Sequence, residues 1–120
     1  MFQVHIEQGG RLIVGRCAGF WDDAELKRSC AAFLDAGKQA GGAFDVLVDM
    51  MDFPAQKASG GPEIVALIGE LITLGMRRVA ILAPSATHRL QAARVGEGAY
   101  RVFTDEKAAR AWILGMRLAS

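Results

Sequence analysis

Three aspartates within eight residues, Asp45, Asp49 and Asp52, are the group in this sequence best suited to chemistry. Asp49 and Asp52 flank the carboxyl end of the apolar run FDVLVDM (44–50), and open α/β sheets place ligands at such strand ends. Two close carboxylates there would hold a divalent cation or accept a phosphoryl group. A phosphoacceptor site also needs a further acidic pair and a lysine at neighbouring strand ends. The neighbouring strands end at Ala83 and Phe103, so the expected role of the aspartates is turn capping. Ser59-Gly60-Gly61, just before a helix, would cradle a phosphate on free backbone N–H groups. The chain has neither GxGxxG nor GxxxxGK[ST], so a flexible connection is the plainer reading. Ser59 and Ser85 each precede a helix, as capping serines do, and no GxSxG elbow is present. His5 and His88 fall on distant elements, and Cys17 and Cys30 lack CxxC spacing. No metal set and no cofactor is expected.

The elements that must position these residues follow from periodicity. Phe2, Val4 and Ile6 alternate with Gln3, His5 and Glu7, the pattern of a strand with one buried face. Gly9-Gly10 then joins it to a second strand over Arg11–Gly19, which predicts an antiparallel hairpin. Asp22 caps the next helix, with Glu25 placed to complete a capping box, and Gly41-Gly42 ends it. Phe44–Met50 reads as a central strand. A loop over Asp52–Gly61 leads to Pro62 and a helix running to about Leu74, then to a strand over Arg77–Ala83. A third helix is expected over Ala86–Val95, and a short strand over Tyr100–Phe103. Thr104 is placed to cap a last helix from Asp105 to about Arg117. The order β-β-α-β-α-β-α-β-α calls for a mostly parallel sheet with an antiparallel edge.

The 120 residues suffice for a single domain spanning 1–120, and 52% hydrophobic residues supply a core. That fraction excludes disorder, and the apolar stretch Ile64–Met76 is interrupted by Glu70 and too short to span a bilayer. The opening residues alternate like a strand, so no signal segment is expected, and two cysteines suit a reducing compartment. A cytoplasmic location is the expectation. The first 75 residues carry six Lys/Arg against ten Asp/Glu, and the last 45 carry eight against three. Arg77, Arg78, Arg89, Arg94 and Arg101 with His88 would line an anion-binding surface. A net charge of +1 is far from a nucleic-acid footprint, so a solvated surface is preferred and no nucleic-acid partner is expected.

The second long helix is too apolar for a surface helix. Ile64, Leu67, Ile68, Leu71 and Ile72, with Val65 and Leu74, sweep about twice the arc that one core contact needs. The last helix repeats this more mildly around Trp112. Either both helices wedge between the sheet and a neighbour, or they offer an apolar patch to a second subunit or an apolar ligand. A homodimer is the preferred partner.

FDVLVDM, a helix ending LGM, RRVAILAPS and YRVFTDEKAARAWIL together resemble the SpoIIAA-like, or STAS-like, family of small bacterial domains. Phe103-Thr104-Asp105-Glu106 followed by Ala109–Trp112 is the most family-like piece. The resemblance implies an α/β fold with a mixed four- to five-stranded sheet, an N-terminal antiparallel hairpin and four helices. It also implies an interaction module, not an enzyme. Antagonists of anti-sigma factors in this family carry a phosphorylatable serine in a D-S-S-G-type segment just after the central strand. This sequence departs there: the strand ends Asp49-Met50-Met51-Asp52, and Ser59 stands beyond an added loop. The divergent SpoIIAA-like branch, similar to lipid-transfer CRAL-TRIO folds, is the closer match. The expected function is therefore a non-catalytic module that binds a protein partner. One alternative is a carrier or sensor of a small apolar or lipid-like ligand held between the second and last helices. Another is partner switching controlled by phosphorylation of Ser59.

Overall fold

The computed structural model describes residues 1–52, 61–84 and 100–119. Five strands form one sheet whose spatial order follows the chain: β1 (Phe2–Glu7), β2 (Leu12–Ala18), β3 (Phe44–Asp52), β4 (Met76–Leu82) and β5 (Tyr100–Phe103). β1 runs antiparallel to β2, in the register Val4–Gly15, and every other neighbouring pair is parallel. Three α-helices are described: α1 (Asp23–Ala40), α2 (Gly61–Leu74) and α3 (Glu106–Ala119). The α/β class, the five-stranded mixed sheet and the opening hairpin are as the sequence predicts. The helix expected over 86–95 lies outside the described residues.

Strand alternation sorts the core into two layers. Leu12, Val14, Leu47, Ala80 and Leu82 face α3 and pack on Ala109 and Ile113. Ile13 and Val46 point to the other face and meet Phe33 and Ala36 of α1 and Leu71 of α2. Among the described residues, α1 and α2 thus cover one face and α3 the other. A ligand held between α2 and α3 would have to reach through the sheet, so the described residues form no such cleft.

Close approach fixes this arrangement. A Cβ on Gly15 would stand inside the ring of Phe33, so the absent side chain is what seats α1 on β2. Gly75 turns α2 into β4 at φ +121°, where a Cβ would lie 2.6 Å from the Gly42 carbonyl oxygen.

Two local expectations are corrected. The hairpin is joined by a 3₁₀ turn over Gln8–Gly10, with Gln8, Gly9 and Gly10 all at positive φ, and not by a two-residue Gly-Gly turn. The cap of α3 is Asp105, whose Oδ2 accepts from Ala108 N at 3.0 Å; its carboxylate outcompetes the Thr104 hydroxyl for that N–H. At α1, Asp22 Oδ1 accepts from Glu25 N at 2.7 Å as expected, while Glu25 Oε1 accepts from the Met1 amino group at 2.9 Å.

Candidate functional site

The parallel strands deliver their carboxyl ends, and the start of each α-helix, to one pole of the molecule. Asp49 stands there but is occupied. Its Oδ2 accepts from Arg16 Nη1 at 2.8 Å and its Oδ1 from Met51 N at 3.0 Å. Arg16 is placed by β2, opposite Asp49 in the β2–β3 register, on the same side of its strand as Leu12 and Val14.

From Arg16 a chain of charges runs across the α3 face of the sheet. Arg16 donates to both oxygens of Glu106, at 2.9 and 3.3 Å. Glu106 also accepts from Arg110 Nε at 2.9 Å, one helical turn on. Arg110 then donates to both oxygens of Glu7, at 2.9 and 3.2 Å, and Glu7 Oε2 lies 2.7 Å from His5 Nε2. These contacts hold the Glu7 carboxyl down to about 2, chiefly through the Arg110 and His5 hydrogen bonds. Glu106 is likewise lowered to about 2, first by Arg16 and then by Arg110. Both arginines are in turn pushed further above their ordinary range by those hydrogen bonds. On the opposite face of the sheet, burial drives the Cys17 thiol up to about 12, leaving it protonated at neutral pH. Arg16, Glu106, Arg110 and Glu7 were not among the candidates drawn from the sequence. A signal existed: Arg16 breaks the apolar alternation of its strand at an inward-facing position, and Glu106 and Arg110 have helical i,i+4 spacing.

The remaining candidates separate. Asp52 is exposed at the end of β3, and its carbonyl accepts from Gly19 N at 3.1 Å. That bond joins the chain just before Phe20 to the end of β3; Phe20 is 78% and Met51 39% exposed. Gly61 opens α2, while Ser59, Gly60 and Ser85 lie outside the described residues. Among the described residues no three His, Cys, Asp or Glu side chains converge as a metal site.

The apolar residues of α2 divide between two faces. Leu71 is buried and Leu67 packs against the α1-side core, Ile64 and Ile68 are half-buried, and Ile72 is exposed. Trp112 packs on Phe103, ring centroids 5.7 Å apart, on the other side of the sheet. It therefore shares no surface with α2. No helix among the described residues is long and apolar enough to cross a membrane.

The antiparallel edge and parallel centre of the sheet, with the described helices on both faces, define the class: the chain has the SpoIIAA-like, STAS-like fold. A solved structure titled as the anti-sigma factor antagonist SpoIIAA in its unphosphorylated form is similar over 96% of this chain and 99% of its own, at 21% identity and a TM-score of 0.71. The Bacillus cell fate determinant SpoIIAA in its phosphorylated form is similar over 92% and 98%, at 22% identity and a TM-score of 0.65. No family model matches the sequence, and no curated protein shows significant similarity to it.

Proposed function

We propose that this chain is a non-catalytic regulatory module that acts by binding a protein partner at the carboxyl-end pole. The observation that carries the reading is the exposure of Phe20 and Met51 near the β2 and β3 ends that the Gly19–Asp52 backbone hydrogen bond joins, on a pole braced by the Arg16–Asp49 pair. Aromatic residues and methionine are enriched in protein interfaces relative to the rest of the surface, and Phe20 and Met51 are of these types. The fold supports this reading, since a protein titled an anti-sigma factor antagonist shares it. Asp49 is spent on Arg16 and on its own turn, which argues against its use as a general base or metal ligand. The module works in the cytoplasm, and the exposed side of α2 serves self-association into a homodimer. Ser59 is the residue through which a kinase would control binding.

The test is affinity capture from extracts of the source cells, comparing the wild-type chain with Phe20→Asp and Met51→Asp. A specific protein retained by the wild type and by Ser59→Ala, and lost by at least about tenfold in both pole variants, supports the reading. Capture that is equal in all four chains, or turnover of any substrate that disappears in Asp49→Asn, overturns it.

A further inference from the structure

β1 is an edge of the sheet: among the described residues it pairs with β2 alone. Its backbone direction is fixed at the open end of the hairpin, where Ala18 N donates to the Met1 carbonyl and the Met1 amino group to the Ala18 carbonyl, both at 2.9 Å. Such reciprocal pairs alternate along an antiparallel ladder. Gln3, His5 and Glu7 therefore bond β2, while Phe2, Val4 and Ile6 turn their N–H and C=O groups outward. β1 carries none of the usual protections of an edge: it has no proline, no lysine and no break in its register with β2.

The outward set is self-complementary. Antiparallel pairing of two copies about Val4 sets Val4 against its own equivalent and Phe2 against Ile6, and this register alone engages every outward donor and acceptor of both strands. The side chains match in the same register. Phe2, Val4 and Ile6 form one apolar ladder on the α1 face, where Ile6 is 36% exposed in the single chain, and Gln3 meets His5 on the other face.

Helix α1 supplies an independent match. It runs beside β1 in the same direction: Phe33 lies over Gly15, the pairing partner of Val4, and Ala40 lies beside Gly10. A groove of about 460 Å³ borders the edge, with Val4 and Ile6 on one side and Ala32, Asp35, Ala36 and Gln39 on the other. Because α1 sits astride β1 and β2, joining two β1 strands brings the two α1 axes about 10 Å apart, the usual packing distance of helices. Arg28, Ala32 and Asp35 form one stripe of α1 on this side. The axis through Val4 passes near Ala32, with Arg28 about 6 Å before it and Asp35 about 4.5 Å after it along the helix. A two-fold rotation there carries Arg28 of each copy to Asp35 of the other. Within one chain Arg28 is 62% exposed and lies 3.9 Å from Glu25, and Asp35 is exposed with no ion-pair partner among the described residues.

We infer that β1 is an edge at which two copies of this chain meet, antiparallel about Val4, so that their sheets become continuous and Arg28 of each faces Asp35 of the other. The surface is small, at the weak end of protein interfaces, so it forms at higher protein concentration than pairing through α2 requires. It shares no residue with the outer stripe of α2 or with Phe20 and Met51, so its failure and that of the proposed function are separate outcomes.

Sedimentation velocity of Val65→Glu with Ile72→Glu, which takes the α2 stripe out of play, tests this over about a hundredfold range of concentration. The mass is expected to rise from monomer toward dimer. Arg28→Asp should weaken that association by about tenfold or more, because two attractive pairs become repulsive, and adding Asp35→Arg should restore it. Both residues are exposed, so neither change disturbs the core. Hydrogen exchange of the wild type gives a second reading that needs no variant. The amides of Phe2, Val4 and Ile6 should exchange more slowly as concentration rises, while those of Gln3, His5 and Glu7, already bonded to β2, stay constant. Mass and exchange independent of concentration, association unchanged in Arg28→Asp, or no recovery in the double reversal overturns the inference. Slowing of the same amides only when a different protein is added would assign the edge to that protein and overturn it as well.

Discussion

Gly15 shows how much of this fold rests on one absent side chain. It pairs with Val4 on one side and Val48 on the other, and the Phe33 ring lies where its Cβ would be. The ring cannot yield easily, because it is buried between α1 and the sheet. Gly15→Ala is therefore expected to destabilise the chain by about 1–3 kcal/mol, the range for overpacking a core. Urea denaturation checks this, and restoration of most of the loss in Gly15→Ala with Phe33→Leu would assign it to the ring. Nothing in the sequence announces this contact, since RLIVGRCAG reads equally well as a strand with a glycine anywhere in it. The same holds for Arg16. Its inward position is legible from alternation, but its partners lie 33 and 90 residues away and are known only once strand register and helix placement are known.

At the scale of elements, hydrophobic period and glycine punctuation suffice for the order of the described strands and helices. They fail where two local solutions compete, as in Asp105 against Thr104 at the start of α3. They also leave open which faces of α2 are covered. A chain that builds β2, β3 and β4 side by side with right-handed crossovers must put α1 and α2 on one face, which leaves the other for α3. The excess apolar arc of α2 thus turns outward, not toward α3. Val65 and Ile72, 54% and 58% exposed and two turns apart, form the outer stripe with the half-buried Ile68 between them. If this stripe supports the proposed homodimer, Val65→Glu with Ile72→Glu will shift the native mass from dimer to monomer while leaving the urea midpoint of the monomer within about 0.5 kcal/mol of the wild type. A monomeric wild type, or a dimer unaffected by both charges, would remove α2 from the interface.

For the molecule as a whole, the chain of charges from Asp49 to His5 ties β3, β2 and β1 to α3, which also packs on the sheet through Ala109, Ile113 and Trp112. Because Glu7 and Glu106 titrate near 2 when folded, against an ordinary 4.5, the unfolded chain binds protons more readily than the folded one. Their stabilisation is therefore complete above about pH 5 and is lost as the pH falls from the ordinary carboxylate range through about 2. The side chains are 29% and 35% exposed, so solvent screening reduces the effect well below the full linkage value, to about 1–2 kcal/mol for the network. The wild type should lose roughly 1 M in urea midpoint over that window on this account, and Glu7→Gln with Glu106→Gln should lose less over the same window while starting lower at pH 7. Hydrogen exchange adds the location: α3 amides of the wild type should lose protection at pH 3 before those of β3 and β4, which are held in the sheet from both sides. Parallel midpoint curves for the two chains would mean that the network orders the surface without stabilising the fold. Loss of protection in all elements at once would mean that α3 is held by its apolar contacts alone.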